Sequence, residues 1–296
     1  MNDRELLVVE KLNKKYKDFS LQDISFTLPE GYILGLIGKN GAGKTTLMNC
    51  IIGAIPFEGT VCVEGAVNTL HKRAATEKIG FIVEKAPFFK KETLGKNGEL
   101  LGVLYDDWDE KKFYDYLKKL ELHYDMVYGE LSKGMETKFQ LAFALAHSPR
   151  LLILDEPTGG LDPVFRKNFL KILQNVVNEE MLSVIISTHL TTDLDKVADY
   201  VMMLDEGKIV FYEDKENLSD KYPLISGNTA VLSEIPKSAY KRVKRKGNIF
   251  HTVLTDAKYL VKHPEVAEKV QIERTNLEEI MYYLCTPSMF SEKEEN

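Results

Sequence analysis

Residues 38–45 read Gly-Lys-Asn-Gly-Ala-Gly-Lys-Thr and fit the pattern G-x-x-x-x-G-K-[ST]. The stretch follows an apolar run at residues 32–37 and precedes a second one at residues 46–52. The first run predicts a buried strand and the second a helix. A glycine-rich turn between a strand and a helix is the setting in which this pattern binds phosphate groups. We call residues 38–45 the glycine loop.

The residue types of the glycine loop suit a triphosphate. Gly38, Gly41 and Gly43 allow a tight turn whose backbone N–H groups point inward at an anion. We expect Lys44 to reach the β and γ phosphates and Thr45 to ligate Mg²⁺. An ordinary glycine turn is the alternative, but the full pattern arises by chance in about one chain of this length in a hundred. The predicted ATP-binding residues here are Gly38, Lys39, Asn40, Gly41, Ala42, Gly43, Lys44, Thr45 and Thr46.

Two carboxylates follow a later apolar run. Asp155 closes the run at residues 151–154, and Glu156 comes directly after it. Because the carboxyl end of a buried strand lies beside the glycine loop, we expect Asp155 to bind Mg²⁺ directly or through water. Glu156 can then aim at the far side of the γ-phosphate and act as general base toward water. A solvated acidic turn is the alternative for this pair, and the glycine loop upstream argues against it.

The composition is that of an ordinary globular protein. The chain has 296 residues, of which 44% are hydrophobic and 28% charged, with a formal net charge of −6. The negative charge argues against a general attraction to nucleic acid, and no nucleic-acid partner is expected. Three cysteines without metal-type spacing indicate a reducing compartment. Since there is no apolar run of about 18 residues and no signal-peptide layout, we expect a cytoplasmic chain, for which any membrane role needs a partner.

Strand-like and helix-like segments alternate along the chain. Strands are predicted at residues 6–12, 22–28, 32–37, 151–154, 183–187 and 200–204. Helical periodicity is found at residues 88–146, 164–180 and 191–198. In the first helical segment Phe113, Tyr116, Leu117 and Leu120 share one face. The alternation predicts an α/β fold of P-loop type, with an antiparallel β subdomain, a parallel-sheet core, a helical insertion and a small C-terminal extension.

Five motifs in fixed order resemble the nucleotide-binding subunit of an ATP-binding cassette (ABC) transporter. They are residues 38–46, 131–134, 151–157, 160–162 and 187–189, and the resemblance covers about residues 5–215. In that family two cassettes sandwich two ATP molecules head to tail. The signature loop of each cassette, here residues 131–134, caps the nucleotide of the other. The resemblance therefore implies an ATPase that works with Mg-ATP as a dimer of identical or related cassettes.

The resemblance also implies roles for single residues. Ser132 and Gly134 would contact the γ-phosphate held by the opposite cassette, and a helix start suits that anion. Tyr16 would stack on adenine, although a tyrosine at a strand edge can equally be packing. His189 would contact the γ-phosphate and help to orient the attack, and Asp162 belongs to the loop that communicates between the two sites.

Three positions depart from the common family pattern. Lys133 and Met135 stand where the signature loop and its flank usually have glycine and glutamine, and Glu84 replaces the glutamine of the lid loop. A carboxylate at position 84 can still hold Mg²⁺ or the attacking water. Lysine-containing signatures and lid glutamates of this kind resemble those of single-cassette exporters that handle peptides, antibiotics or lipids.

The chain after residue 215 matches no motif. We predict a cassette domain at 1–215, with a helical subdomain at about 88–147, and an accessory extension at 216–296. Thr275 and Glu278 suit a capping box before a helix at 277–284. A solvated surface is the simpler interpretation of a basic cluster in this region, and anionic lipid headgroups or an acidic loop are the alternatives. The basic cluster consists of Lys237, Lys241, Arg242, Lys244, Arg245 and Lys246.

The leading hypothesis is an ATPase subunit that docks on a separate membrane permease and closes as a dimer on two Mg-ATP. The groove near residues 84–104 would receive the permease. A soluble cassette ATPase that acts on ribosomes or DNA is the alternative, but a single cassette, no sustained heptads and a negative charge argue against it. Binding without hydrolysis is disfavoured because Lys44, Asp155, Glu156 and His189 are all present.

Overall fold

The computed structural model describes residues 4–69, 72–83 and 86–285. The strands in these ranges are β1 (Glu5–Lys15), β2 (Ser20–Pro29), β3 (Ile33–Ile37), β4 (Glu58–Val63), β5 (Ala66–Thr69), β6 (Lys72–Arg73), β7 (Ile79–Ile82), β8 (Leu151–Asp155), β9 (Ser183–Ser187), β10 (Tyr200–Asp205), β11 (Lys208–Asp214), β12 (Leu224–Asn228), β13 (Lys244–Lys246), β14 (Ile249–Val253) and β15 (Val270–Glu273). They form three sheets, with strand orders β2-β1-β4-β5-β6, β11-β10-β3-β9-β8-β7 and β13-β14-β12-β15.

Helices surround these sheets. The α-helices of the described ranges are α1 (Lys44–Ile52), α2 (Leu94–Gly102), α3 (Glu110–Lys119), α4 (Lys133–Ala146), α5 (Pro163–Glu180), α6 (Thr191–Val197), α7 (Leu218–Lys221), α8 (Thr229–Leu232), α9 (Lys258–Lys262), α10 (Pro264–Ala267) and α11 (Leu277–Leu284). None of them has the length and apolar character that a bilayer-spanning helix needs.

The six-stranded sheet is the core of the molecule. Its strands β10, β3, β9, β8 and β7 run parallel, and β11 pairs antiparallel with β10 at one edge. Every residue of β3 and β9 is buried. Ile33 and Ile37 pack in one apolar cluster and Leu34 and Leu36 in another, because successive strand side chains point to opposite faces. The predicted α/β fold with a parallel, doubly covered sheet is therefore confirmed.

The parallel strands deliver three turns to one edge of this sheet. The glycine loop follows β3, Glu156 follows β8, and His189 lies two residues beyond the end of β9. Carboxyl ends of parallel strands are where open α/β sheets place their ligand crevices. The fold alone thus brings these chemically reactive segments into one neighbourhood.

The entry sheet is antiparallel, as the alternating residues near the amino terminus predict. Strand β1 pairs with β2 on one side and with β4 on the other. Its Leu7, Val9 and Leu12 are buried in the same apolar cluster as Leu47 and Ile51 of α1. The sheet thereby covers the helix that follows the glycine loop.

The predicted helical insertion contains α2, α3 and α4. The apolar face predicted for its middle helix is confirmed, since Phe113, Tyr116 and Leu117 of α3 are all buried. The rings of Phe113 and Phe139 meet edge to face at a centroid distance of 6.1 Å. Aromatic packing between α3 and α4 therefore holds this region together.

The chain beyond residue 215 has two parts. Strands β12 to β15 and the short helices α8 to α10 enclose a small apolar cluster around Ile225 and Phe250. Helix α11 instead packs against the preceding part of the chain, where Ile280 and Leu284 share an apolar cluster with Leu194 of α6. The carboxyl-terminal helix consequently packs on the helix that follows His189.

The predicted capping box at Thr275 and Glu278 is wrong by one residue. Helix α11 begins after Asn276, whose side chain accepts the N–H of Glu279 at 2.9 Å, and Glu279 accepts the N–H of Asn276 at 3.0 Å. The Thr275 hydroxyl donates to the backbone oxygen of Tyr222 at 2.7 Å instead. A tertiary contact therefore occupies the side chain that the sequence pattern had assigned to the cap.

The basic cluster lies on the C-terminal sheet and the loop before it. Strand β13, Lys244–Lys246, is fully exposed at one edge of that sheet. Arg242 places its guanidinium 4.5 Å from the ring centroid of Tyr282. Lysines on an exposed edge strand discourage pairing with strands of other chains. The exposure of β13 is consistent with the solvated-surface interpretation.

Close packing of α2 on α3 gives a test of the fold. A Cβ on Gly98 would lie 2.4 Å from Phe113, whereas a Cβ on Gly95 in the same helix would meet its nearest atom at 3.4 Å. We expect Gly98→Ala to lower the free energy of unfolding by about 1–3 kcal/mol through overpacking. Gly95→Ala is the matched control and should be neutral or raise it by up to about 1 kcal/mol, because alanine favours helix.

Urea unfolding followed by circular dichroism measures both changes. Equal stability of the two variants would contradict the packing described for α2 and α3.

Candidate functional site

The glycine loop has the backbone geometry of an anion cradle. Gly38, Gly41 and Gly43 adopt φ values of 149°, 83° and 109°, a region that disfavours side chains. A Cβ on Gly38 would lie 2.3 Å from the backbone oxygen of Leu204, so the neighbouring strand also requires glycine there. Gly43 precedes α1, and no side chain caps the first N–H groups of that helix. These donors and the helix dipole are available to an anion.

Lys44 is held inside the loop. Its side chain is buried, and Nζ donates to the backbone oxygens of Gly38 at 2.8 Å and Lys39 at 3.3 Å. Burial lowers the pKa of Lys44, while the nearby carboxylates of Glu156 and Asp155 act in the opposite direction. A partly desolvated cation at this position favours a polyanionic ligand, because the ligand restores the charge interactions that burial removed.

Asp155 is fixed at both carboxylate oxygens. Thr45 Oγ1 donates to Oδ2 at 2.8 Å, and Ser187 Oγ donates to Oδ1 at 2.6 Å. Ser187 also accepts the backbone N–H of Glu156 at 3.0 Å. The Thr45–Asp155 pair presents hard oxygen ligands, and such ligands suit Mg²⁺. No role was predicted for Ser187 from the sequence. The sequence feature that indicates one is a hydroxyl residue at the end of an otherwise apolar strand.

Glu156 and His189 face each other. Nδ1 of His189 lies 2.8 Å from Oε2 of Glu156, and the backbone N–H of His189 donates to the same oxygen at 3.4 Å. Glu156 has a φ of 50°, in the left-handed region that a non-glycine residue seldom adopts. Such strain occurs where a side chain must be aimed, and here it directs the carboxylate toward His189.

A cavity of about 270 Å³ opens onto these groups. Asn40 of the glycine loop lines it together with Asp155, Glu156 and His189, and Lys133 of α4 lines it from the helical region. Gln140 also lines the cavity, although the sequence did not indicate it. Its side-chain oxygen accepts the backbone N–H of Val83 at 3.0 Å. The neighbouring Glu84, a predicted metal ligand, lies outside the described residues.

The remaining predicted site residues lie on the margins. Ser132 caps α4 and accepts the N–H of Met135 at 3.3 Å. Asp162 caps α5 and accepts the N–H groups of Val164 and Phe165 at 3.0 and 2.9 Å. The carboxylate of Asp162 therefore stabilises the start of α5 within a single chain.

Gly134 and Tyr16 sit against different neighbours. A Cβ on Gly134 would lie 3.0 Å from the ring of Phe165, so a side chain there would crowd α5. Tyr16 is 46% exposed in the turn between β1 and β2, with Lys14 Nζ at 5.2 Å from its ring centroid. An exposed ring in this turn is open to stacking.

The whole arrangement has the parts of a phosphoryl-transfer site. It combines an anion-binding loop with its lysine, a hydroxyl–carboxylate pair and a second carboxylate beside an imidazole. Catalysis of phosphoryl transfer to water depends mainly on positioning and on charge stabilisation, and these groups supply both.

The sequence is similar to ATP-binding proteins of known transporters. The family profile described as ABC transporter matches residues 21–159. The chain is 32% identical over 224 residues to the lantibiotic transport ATP-binding protein SrtF of Streptococcus pyogenes, covering 73% of this chain and 96% of that protein. It is 31% identical over 219 residues to the bacitracin transport ATP-binding protein BcrA of Enterococcus faecalis, covering 73% and 70%.

Solved structures share the fold. A nucleotide-free ATP-binding cassette from an ABC transporter aligns with a TM-score of 0.65 at 24% identity, covering 73% of this chain and 94% of that one. The cbiO1 structure from Clostridium perfringens, part of the ABC transporter complex cbiONQ, aligns with a TM-score of 0.64 at 25% identity, covering 74% and 92%. The chain therefore belongs to the ABC transporter family and is one of its ATP-binding ATPase subunits.

Proposed function

We propose that this chain hydrolyses Mg-ATP to drive export of a peptide or peptide-like antibiotic through a permease formed by a separate chain. The observation that carries the proposal is the meeting of Lys44, the Thr45–Asp155 pair and the Glu156–His189 pair at one sheet edge. The cargo class is supported by the relatives, whose names assign them to bacitracin and lantibiotic transport.

The glycine loop would bind the triphosphate. Its N–H groups and the start of α1 would face the phosphate oxygens, while Lys44 would contribute a positive charge. Tyr16, in the turn before β2, would stack on the adenine ring. Thr45 and Asp155, which share a hydrogen bond, would hold Mg²⁺, and the ion would neutralise charge on the β and γ phosphates.

Glu156 would act as general base. Its carboxylate accepts a proton from the water that attacks the γ-phosphate, and His189 beside it orients the attack. The hydrogen bond that the Glu156 N–H donates to the Ser187 hydroxyl fixes the backbone from which that carboxylate projects.

Removing the base should separate binding from hydrolysis. We expect Glu156→Gln to keep ATP affinity while slowing single-turnover hydrolysis by roughly 10²- to 10⁴-fold, the usual contribution of a positioned base. Glu206→Gln is the matched control, since Glu206 is an exposed glutamate that also has a positive φ, 47°. Near-normal turnover in Glu156→Gln would remove this residue from its role.

The signature loop supports a dimer of cassettes. Ser132 and Gly134 lie at the start of α4, whose N-terminal N–H groups suit the γ-phosphate bound by a second chain. Asp162 lies at the start of α5, beside the same surface, since a Cβ on Gly134 would lie 3.0 Å from the Phe165 ring of that helix. Two chains arranged head to tail would thus complete each other's sites.

A bulky, charged substitution at this loop tests the dimer. Ser132→Arg should abolish ATP-dependent dimerisation of Glu156→Gln protein in light scattering, while ATP still binds each monomer. Because the substitution also removes a helix cap worth about 0.5–2 kcal/mol, the fold is checked by circular dichroism. Ser238→Arg, at an exposed serine of the C-terminal region, is the control. Intact dimerisation in Ser132→Arg would exclude the composite site.

An apolar surface near α2 supports the permease partner. Phe89, Leu100, Val103 and Leu104 are large apolar side chains that remain 42–79% exposed. Exposed apolar groups concentrated on one surface mark an interaction site. This surface would receive the permease within the predicted groove at residues 84–104.

Capture of the closed protein tests the partner directly. Tagged Glu156→Gln protein with Mg-ATP should bring a polytopic membrane protein in stoichiometric yield out of detergent-solubilised native cells. The same protein carrying Val103→Glu and Leu104→Glu should bind ATP equally well and lose that partner. Recovery of ribosomes or DNA instead would favour the soluble-ATPase alternative.

A further inference from the structure

A buried polar pair joins the two chain segments that carry Glu156 and His189. Thr158 and Asp193 are 0% and 1% exposed, and the Thr158 hydroxyl donates to Asp193 Oδ2 at 3.0 Å. A buried carboxylate is costly unless it is hydrogen-bonded, so a pair of this kind requires a reason beyond packing. Neither Thr158 nor Asp193 belongs to the ATP-binding, metal-binding or catalytic groups of the proposed site.

The two pairs join the same two segments of chain. Thr158 is two residues beyond Glu156, and Asp193 is four residues beyond His189. The outer contact is open to solvent, since the side chains of His189 and Glu156 are 57% and 32% exposed. Exposed charge contacts contribute little rigidity, whereas a hydrogen bond in the low-dielectric interior is stronger. The inner pair is therefore the one able to set the separation of the outer pair.

Arg166 connects this pair to a third segment. Its Nη1 lies 4.0 Å from Asp193 Oδ1, and its backbone N–H donates to the oxygen of Asp162 at 2.9 Å. Asp162 belongs to the loop at residues 160–162 and caps α5. The Asp193 carboxylate thus lies between the segment that follows Glu156, the helix that follows His189, and the start of α5.

We propose that Thr158 and Asp193 are positioning residues for ATP hydrolysis. Their hydrogen bond sets the separation of Glu156 and His189. The proposal rests on the proposed function, because it concerns the same hydrolytic site. A shift of about 1 Å in a reacting group costs on the order of 10²-fold in rate, so a link that controls this distance affects turnover directly. Arg166 makes the link sensitive to the position of the 160–162 loop.

A purely structural pair would behave differently. Buried polar pairs can often be replaced by apolar groups of similar shape at little cost to the site they support. A structural role would therefore change the free energy of unfolding and leave the kcat of the folded protein unchanged. A positioning role lowers kcat with little change in the KM for ATP.

The first measurement compares Thr158→Val with Thr158→Ser in the full chain. Valine has the shape of threonine without the hydroxyl, and we expect kcat to fall on the order of 10- to 100-fold. The KM for ATP should stay within about twofold, and serine should restore most of the rate because it keeps the donor. Wild-type kcat in folded Thr158→Val protein would overturn the proposal, as would equal losses in the two variants.

A mutant cycle with His189→Ala shows through which group the pair acts. If Thr158 works by positioning the outer pair, the double variant should lose less kcat than the product of the two single losses. Strictly multiplicative losses would overturn the proposal. If Thr158→Val does not fold, Thr158→Ala takes its place, since it also removes the hydroxyl that donates to Asp193. An unchanged kcat in that variant would also overturn the proposal.

The proposed function is tested separately in the same assay. Absence of ATP hydrolysis by the wild-type chain, or normal turnover in Glu156→Gln, would count against the proposed function itself. A slow Glu156→Gln with a fast Thr158→Val would leave the function standing and remove only this inference.

Discussion

Strand β9 holds the site together because it is hydrogen-bonded in parallel to β3 on one side and to β8 on the other. In this register Ser187 lies opposite both Leu36 of β3 and Asp155 of β8. The turns after the three strands therefore start from neighbouring points on one edge. A one-residue slip would turn Ser187 to the opposite face and separate it from Asp155, since strand side chains alternate.

Polar contacts then refine what the sheet brings together. Ser187 bonds the Asp155 carboxylate and the Glu156 backbone at once, so the metal-binding side and the base share one support. The left-handed conformation of Glu156 costs roughly 1–3 kcal/mol in backbone strain. Hydrogen bonds from its N–H to the hydroxyl and backbone oxygen of Ser187 offset part of that cost. The strain is tolerated because it aims a carboxylate that an extended residue would direct elsewhere.

Two helices connect the site to distant surfaces. Helix α4 lines the cavity through Lys133 and also packs against the aromatic core of the helical region. Helix α6 follows His189, and α11 from the end of the described chain covers it. Both helices therefore join the site, by direct packing, to residues far from it in sequence.

The chemical identity of the site could be predicted from the sequence because its signals are local. The glycine loop, the apolar run before Asp155, and the position of His189 after another apolar run are each encoded within about ten residues. The same holds for strands β1 to β3 and β8 to β10, which follow from local apolar patterns, whereas β4 to β7 and β11 to β15 were not predicted. These features need no knowledge of long-range contacts.

Only the tertiary structure decided which side chains meet. The Ser187–Asp155 bond joins residues 32 apart and the Thr158–Asp193 bond residues 35 apart, so both depend on sheet order and register. The cap of α11 moved by one residue because Thr275 bonds Tyr222, 53 residues away. Local sequence determines what each segment can do, whereas the packing of segments determines which hydrogen bonds form, because donors and acceptors distant in sequence compete for the same partners.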